Sequence, residues 1–342
     1  MYIGIDLGGT KTEIICLDEQ GRELYRYRTA SPQHDYLATI DSIKQLVLQA
    51  ENHLSQTGSV GIGIPGSLSL KTGTVKNANS VWLNGRHLKQ DVELALERTV
   101  CVDNDANCFA LSEALDGAAK GCEVVFGAIL GTGCGGGIVI NHQLVSGFNG
   151  LGGEWGHNPL PFPKIHAAAS LNENSAIAFF DSSGKTERSA IYHRKKEISY
   201  FSASLLESEY PGPLCYCGKR GCLETWVSGR GLSNDYQRHT GENLPAERVV
   251  ELATQGHPNA RVCLDYYYER LAKSFAQVIN TLDPHVIVCG GGLSNLASIY
   301  TEIPERWDKY VFSDQFTTRL VQAHHGDSSG VRGAAFLCKN LE

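Results

Sequence analysis

The sequence has little that would carry it to nucleic acid or into a membrane. Its 30 Lys and Arg are outnumbered by 37 Asp and Glu, giving a formal net charge of −7, so no basic field awaits a phosphate backbone. The longest weakly polar stretch, Phe126 to Ile140, is shorter than a bilayer span and crowded with glycine. A secretory leader is missing too: the first apolar run is broken by Asp6 and followed by Lys11, without the basic start and clean hydrophobic core of an export signal. A cytoplasmic protein is expected. The chain also lacks the eight-residue P-loop and the dinucleotide fingerprint. Its eleven cysteines, an odd number scattered over 342 residues, form no disulfide framework and predict reduced thiols with room for a metal.

What is present is a globular composition, 42% hydrophobic and 20% charged, in a chain long enough for two lobes. The 37 glycines are the informative excess, because many gather where turns must be tight. The opening reads as a meander: strands Tyr2 to Asp6, Thr12 to Leu17 and Glu23 to Arg28, joined by Leu7-Gly8-Gly9-Thr10-Lys11 and by Asp18 to Gly21. A helical stripe follows through Ile40, Ile43, Val47, Ala50 and Leu54, then a strand from Val60 to Ile64. Next come a helix marked by Leu88, Val92 and Leu96, a strand from Val100 to Val102, and a helix over Ala106 to Ala118. Val124 to Val145 repeats the meander. Laying Gly4 on Gly127 puts Gly8 on Gly131, so duplication of one α/β unit is expected.

A third glycine turn, Gly290-Gly291-Gly292, follows a long amphipathic stripe from Leu264 to Leu282 and a strand from Val286 to Cys289; a helix from Ser294 and a closing helix around Gly330 to Ala335 are expected after it. Phe162 to Pro213 has no single period and reads as an insertion. Its Arg194-Lys195-Lys196 run is either a phosphate contact or a solvated helix face. Residues 1–118, rejoined by the C-terminal helix near 330–342, make a smaller α/β lobe. Residues 119–329 make a larger one, carrying the cysteine cluster and the insertion at about 162–213.

Four clusters can carry chemistry. In the first turn the amides of Gly8 and Gly9, with the Thr10 hydroxyl, suit phosphate oxygens, and Asp6 suits magnesium; a plain hairpin would look the same. Three such turns after apolar strands fit a nucleotide triphosphate lying between two lobes. Asp103-Asn104-Asp105-Ala106-Asn107 lies between a strand and a helix. It is no calcium loop, since Cys108 and Ala114 stand where Gly and Glu are required. It is either an N-cap with extra acids or a general base, Asp105, beside an orienting Asn104. Cys215, Cys217 and Cys222, spaced around glycines, can wrap three thiolates round zinc, and His157, 58 positions before Cys215, is the plausible fourth ligand. A reduced cysteine knot without metal is the other reading. Glu154 and Glu224 flank this knuckle as acceptors for sugar hydroxyls or as plain surface glutamates.

Together the runs IGIDLGGTKTE (Ile3 to Glu13), GIGIPGS (Gly61 to Ser67), DNDAN (Asp103 to Asn107), GTGCGGG (Gly131 to Gly137), GEWGH (Gly153 to His157), CYCGKRGCLE (Cys215 to Glu224) and GGG (Gly290 to Gly292) resemble the ROK family of bacterial sugar kinases and repressors. The resemblance implies a two-lobed actin-like ATPase or sugar-kinase fold of duplicated ribonuclease H-like domains with an interlobe cleft. It makes Asp105 the catalytic base, and Gly66, Asn104, Asp105, Glu154, His157 and Glu224 the sugar contacts. His157, Cys215, Cys217 and Cys222 become the ligands of a structural Zn2+. Asp6, Gly8, Gly9, Thr10 and Lys11 become the first phosphate segment, Gly131, Thr132 and Gly133 the second, and Gly291 and Gly292 the adenosine side, for ATP with Mg2+. The run KNANSVWLNG (Lys76 to Gly85) and GEWGHNPLP look most like the family's fructokinases, which implies conversion of D-fructose to fructose 6-phosphate. Glucose, mannose or an N-acetylhexosamine is the alternative hexose. The interval between His157 and Cys215 is longer than in the members it resembles. Family members commonly form homodimers or larger assemblies. A sugar-responsive repressor is the remaining alternative; it would need a DNA-binding domain, for which a phosphate turn within ten residues of Met1 leaves no room.

Overall fold

The computed structural model describes residues 1–164 and 209–339. Its first half runs β1 (Tyr2–Leu7), β2 (Lys11–Leu17), β3 (Glu23–Ala30), α1 (Tyr36–Leu54), β4 (Ser59–Ile64), the two-residue strands β5 (Ser67–Leu68) and β6 (Val75–Lys76), α2 (Leu88–Leu96), β7 (Val100–Asn104) and α3 (Asp105–Leu115). The second half runs β8 (Val124–Leu130), β9 (Cys134–Ile140), β10 (Gln143–Leu144), α4 (Glu224–Val227), α5 (Gly229–Thr240), α6 (Ala246–Thr254), α7 (Pro258–Leu282), β11 (Val286–Gly290), α8 (Ile299–Glu302), α9 (Pro304–Trp307), β12 (Arg319–Gln322) and α10 (Ser329–Phe336).

The halves repeat one sheet. The first has strand order β3-β2-β1-β4-β7 and the second β10-β9-β8-β11-β12. In each, a hairpin pair and a third strand are antiparallel while the two strands on the other side are parallel. This is the duplicated, two-lobed actin-like sugar-kinase architecture. The central strands are covered on both faces, and so read as unbroken apolar runs rather than alternating ones: in YIGIDL of β1 only Asp6 is less than fully buried. β3 lies at an edge, mostly exposed, and carries Arg26 and Arg28, charges that blunt further strand pairing.

Glycine decides where helices press on these sheets. A methyl on Gly4 would lie 2.1 Å from the Val331 carbonyl oxygen of α10, and one on the equivalent Gly127 would lie 2.7 Å from Ala110 Cβ of α3. Each half thus receives one helix at the same place, although α10 arrives from the far end of the chain. α1 starts where Asp35 accepts a hydrogen bond from the Ala38 amide (3.0 Å). It buries Ile43, Leu46, Val47 and Ala50 against the first sheet's core, the larger aliphatics contributing roughly 1.5–3 kcal/mol each.

Several expectations are corrected. The third strand of the repeated meander is only two residues long, and the helix expected from Ser294 is a 3-10 turn, Gly292–Asn295, followed by the one-turn α8 and α9. α5 and α6 were not foreseen. The thiols are not all reduced: Cys101 of β7 is disulfide-bonded to Cys338 just beyond α10, with Cα atoms 5.8 Å apart, and nine cysteines are free. Their 237-residue separation leaves no spacing pattern to read. Most of the expected insertion at 162–213, with Arg194-Lys195-Lys196, lies outside the described residues. Its two ends meet, the Glu209 amide donating to the Lys164 carbonyl at 2.7 Å.

Candidate active site

β7 delivers Asp103, Asn104 and Asp105 to the start of α3. Asn104 caps that helix by accepting from the Asn107 amide (3.0 Å) and donates from Nδ2 to Asp105 Oδ1 (3.1 Å), which also accepts from the Ala106 amide (2.8 Å). Asn104 is therefore the N-cap, and Asp105 is exposed beside it. Protein packed around the carboxyl raises its pKa by desolvation, and Glu154 adds repulsion. Asp6 at the end of β1 is pushed up to about 7, first by burial, then by Asp105 and Glu13, against the pull of Arg28. Asp6, Asp105 and Glu154 thus share one region. Asp6 and Asp105, both raised first by desolvation, offer the carboxylate oxygens that a hard cation prefers.

The first two glycine turns are hairpin turns, as expected. The Gly8 amide donates to the Lys11 carbonyl (3.0 Å), and the Gly131 amide to that of Gly133 (3.1 Å); Thr10, Lys11 and Thr132 are exposed. Gly291, at φ +81°, lies against the second turn, where a side chain would come within 2.7 Å of the Leu130 carbonyl carbon. The second and third turns are therefore one structure, with Gly292 exposed beside it. Gly66, at φ +76°, forms the bend after β4.

The knuckle gathers as expected. Ligand atoms of His157, Cys215, Cys217 and Cys222 all lie within 4.8 Å of one another, with Cys215 Sγ 3.7 Å from His157 Nδ1 and Cys217 Sγ 3.6 Å from Cys222 Sγ. Ligands on a tetrahedral zinc stand about 3.4–3.8 Å apart, so the donor set fits. Burial pushes the Cys222 thiol up to about 12, whereas the Lys219 amide holds that of Cys217 below its ordinary value. A second cluster, Asp235, His239 and Cys263, suits a cation poorly, because Arg270 and Arg238 already pair with Asp235.

Three connections were not foreseen. Glu224, two residues past Cys222, accepts from the Cys134 amide at 3.0 Å, so it grips the second glycine turn. Asp103 accepts from Ser146 Oγ at 3.2 Å, linking the halves. Tyr216, the spacer between two cysteines, reaches His157 Nε2 with its hydroxyl at 2.9 Å. The knuckle is anchored behind by Glu209, which accepts from Arg270 (2.8 Å) and Lys273 (3.1 Å), with the Arg270 guanidinium over the Trp226 ring. A groove of 670 Å³ lined by Arg261, Asp265, Tyr268, Glu302 and Arg306 contains none of the site residues.

Comparison with known proteins extends over nearly the whole chain. An N-acetyl-D-glucosamine kinase of Photobacterium profundum is 39% identical over 98% of this chain and 99% of its own. One of Yersinia pseudotuberculosis serotype O:1b is 36% identical over 98% of each. Among solved structures, a ROK hexokinase from Thermus thermophilus superposes with a TM-score of 0.78 at 25% identity, covering 98% of this chain and 97% of that one. A ROK family glucokinase from Streptomyces griseus, in complex with glucose and AMPPNP, gives 0.68 at 26%, covering 98% of both. The ROK family model matches residues 2–341, and the chain belongs to that family.

Proposed function

We propose that the protein is a sugar kinase that transfers the terminal phosphoryl group of ATP to the 6-hydroxyl of N-acetyl-D-glucosamine. The observation that carries the reaction class is the exposed carboxylate of Asp105 at the start of α3, set beside Asn104 by a 3.1 Å hydrogen bond, a group that can accept a sugar hydroxyl proton. The sugar replaces the fructose expected from the motifs, because relatives aligned over nearly the whole chain are N-acetyl-D-glucosamine kinases. Glucose or mannose is the second reading, supported by the hexokinase and glucokinase among the structural neighbours.

In this reading Gly66, Asn104, Glu154, His157 and Glu224 hold the sugar, and its 6-hydroxyl meets Asp105, which takes the proton as the oxygen attacks phosphorus. Gly8, Gly9, Thr10 and Lys11, with Gly131, Thr132 and Gly133, face the phosphates, and Gly291 and Gly292 the adenosine. Asp6 would hold magnesium, which when bound offsets charge on the phosphoryl oxygens. His157, Cys215, Cys217 and Cys222 would hold zinc, which when bound fixes the knuckle and with it the loops bearing Glu154 and Glu224. The smaller lobe is 1–118, rejoined by the C-terminal helix near 330–342, and the larger is 119–329. Closure between them would exclude water from the reacting phosphoryl group. The enzyme is proposed to act in the cytoplasm as a homodimer or larger assembly.

The test is ADP release with magnesium and ATP against N-acetylglucosamine, N-acetylmannosamine, glucose, mannose and fructose, compared by kcat/KM. Highest efficiency on N-acetylglucosamine is expected. Preference for another hexose would move the specificity, and no turnover on any would remove the kinase reading.

A further inference from the structure

Asp103 stands two residues before Asp105, and both oxygens of its carboxylate accept hydrogen bonds. Oδ1 accepts from the Asn104 amide (2.7 Å) and from Asn107 Nδ2 (2.8 Å), both where β7 becomes α3. Oδ2 accepts from Ser146 Oγ at 3.2 Å. Asn104, whose backbone is held in this way, donates its own side chain to Asp105 Oδ1 (3.1 Å). Ser146, Asp103, Asn104 and Asp105 thus form one chain of contacts that runs from the second half of the molecule to the proposed base.

The serine end of this chain is fixed. Ser146 follows β10 at the neck of a loop that closes on itself, the Gly152 amide donating to the Ser146 carbonyl (2.9 Å) and the Gly150 amide to that of Gly147 (3.1 Å). A methyl on Gly152 would lie 2.1 Å from the Val145 carbonyl oxygen, and one on Gly153 would lie 2.3 Å from that of Gly136 in β9, so glycine is what lets the loop return so tightly. The loop then delivers Glu154, whose amide donates to the Leu151 carbonyl (3.2 Å). A hydroxyl carried on such a neck loses little freedom on bonding, and a hydrogen bond to a carboxylate is stronger than one between neutral groups.

We infer that Asp103 and Ser146 are positioning residues for phosphoryl transfer, the bond between them holding Asn104, and through it Asp105, where the base meets the attacking hydroxyl. This rests on the sugar-kinase reading above. A base must sit within hydrogen-bond reach of the proton it takes, and a small misplacement slows the step. The ordinary alternative is that the bond only steadies the loop that ends at Glu154. The two roles separate by whether the chemical step or the sugar affinity moves.

Ser146→Ala removes the hydroxyl and Ser146→Thr keeps it. The rate of a single turnover, with enzyme in excess over ATP, reads the chemical step for the hexose that the wild type uses best. Calorimetry without nucleotide reads the affinity for the same hexose, with AMPPNP affinity and Tm measured alongside. Ser146→Ala is expected to slow the single turnover about tenfold while sugar affinity, AMPPNP affinity and Tm stay near those of the wild type, and Ser146→Thr is expected to restore most of the rate. A normal rate in Ser146→Ala would overturn the inference, as would weaker sugar binding at an unchanged rate, which is the loop-steadying result. A fall in Tm accompanying the slower rate, or no recovery with threonine, would assign the loss to structure and overturn it too. A wild type that phosphorylates no hexose would remove the kinase reading, and a normal rate in Asp105→Asn would remove the base, each taking this inference with it. With both of those standing, the Ser146 variants test the positioning role alone.

Discussion

The carboxylate of Glu224 accepts a hydrogen bond from the amide of Cys134 at 3.0 Å, joining the cysteine knuckle to the end of the second glycine turn. The same segment grips the other end of that turn, because the Gly229 amide donates to the Gly131 carbonyl at 2.7 Å. A sugar contact at Glu224 would therefore also hold the backbone proposed to face the phosphates. Glu224→Ala should raise the KM for ATP as well as for sugar, each by about tenfold. Glu224→Gln, whose amide oxygen can still accept from Cys134, should leave the ATP KM near that of the wild type. Steady-state kinetics with each substrate varied in turn checks both.

Asp105 gives a signed pH dependence. Its pKa is raised and its working form as a base is ionised, so kcat/KM should be full at higher pH and fall as pH drops through that raised value. The acid limb should lie above the ordinary aspartate range. Asp105→Asn should lower kcat by about 10²- to 10⁴-fold and abolish the limb while sugar and AMPPNP still bind. A near-normal rate in that variant would remove Asp105 as the base.

The knuckle should contain one zinc per chain by elemental analysis. Cys217→Ser takes away an exposed ligand whose loss leaves no core cavity, so any fall in Tm should track loss of metal. Chelator should lower the Tm of the wild type but not that of the metal-free variant. Equal stability with and without metal would refute a structural role.

The Cys101–Cys338 bond predicts a thiol count. Protein unfolded with chelator under non-reducing conditions should titrate nine thiols, and eleven after reduction. Cys338→Ser should cost about 2–4 kcal/mol in unfolding free energy. A count of eleven without reductant would show that the pair is reduced.

Much of this site is legible along the chain because its signals are local. Gly8-Gly9-Thr10 and Gly131-Thr132-Gly133 sit between apolar strands, Asp105 sits where a strand becomes a helix, and Cys215, Cys217 and Cys222 are spaced for one metal. The repeated strand order was foreshadowed by the match of Gly4 with Gly127. What escaped is set by distance or disguise. Cys134 is 90 residues from Glu224 and Cys338 is 237 from Cys101, so chain folding alone pairs them. Tyr216 passes for a spacer because its neighbours are cysteines. The choice of sugar escaped for a further reason: one contact decides it, and no spacing encodes such a contact.

The helix that Gly4 admits has a consequence for synthesis. The first sheet is built from residues 2–104, yet the face bearing Gly4 and Gly61 is covered by Val331, Ala334 and Ala335 of α10. On the ribosome, that sheet must wait with an open apolar face until more than two hundred further residues have been translated. The nascent chain is therefore exposed to aggregation throughout elongation, and the first-made half is the last to be finished.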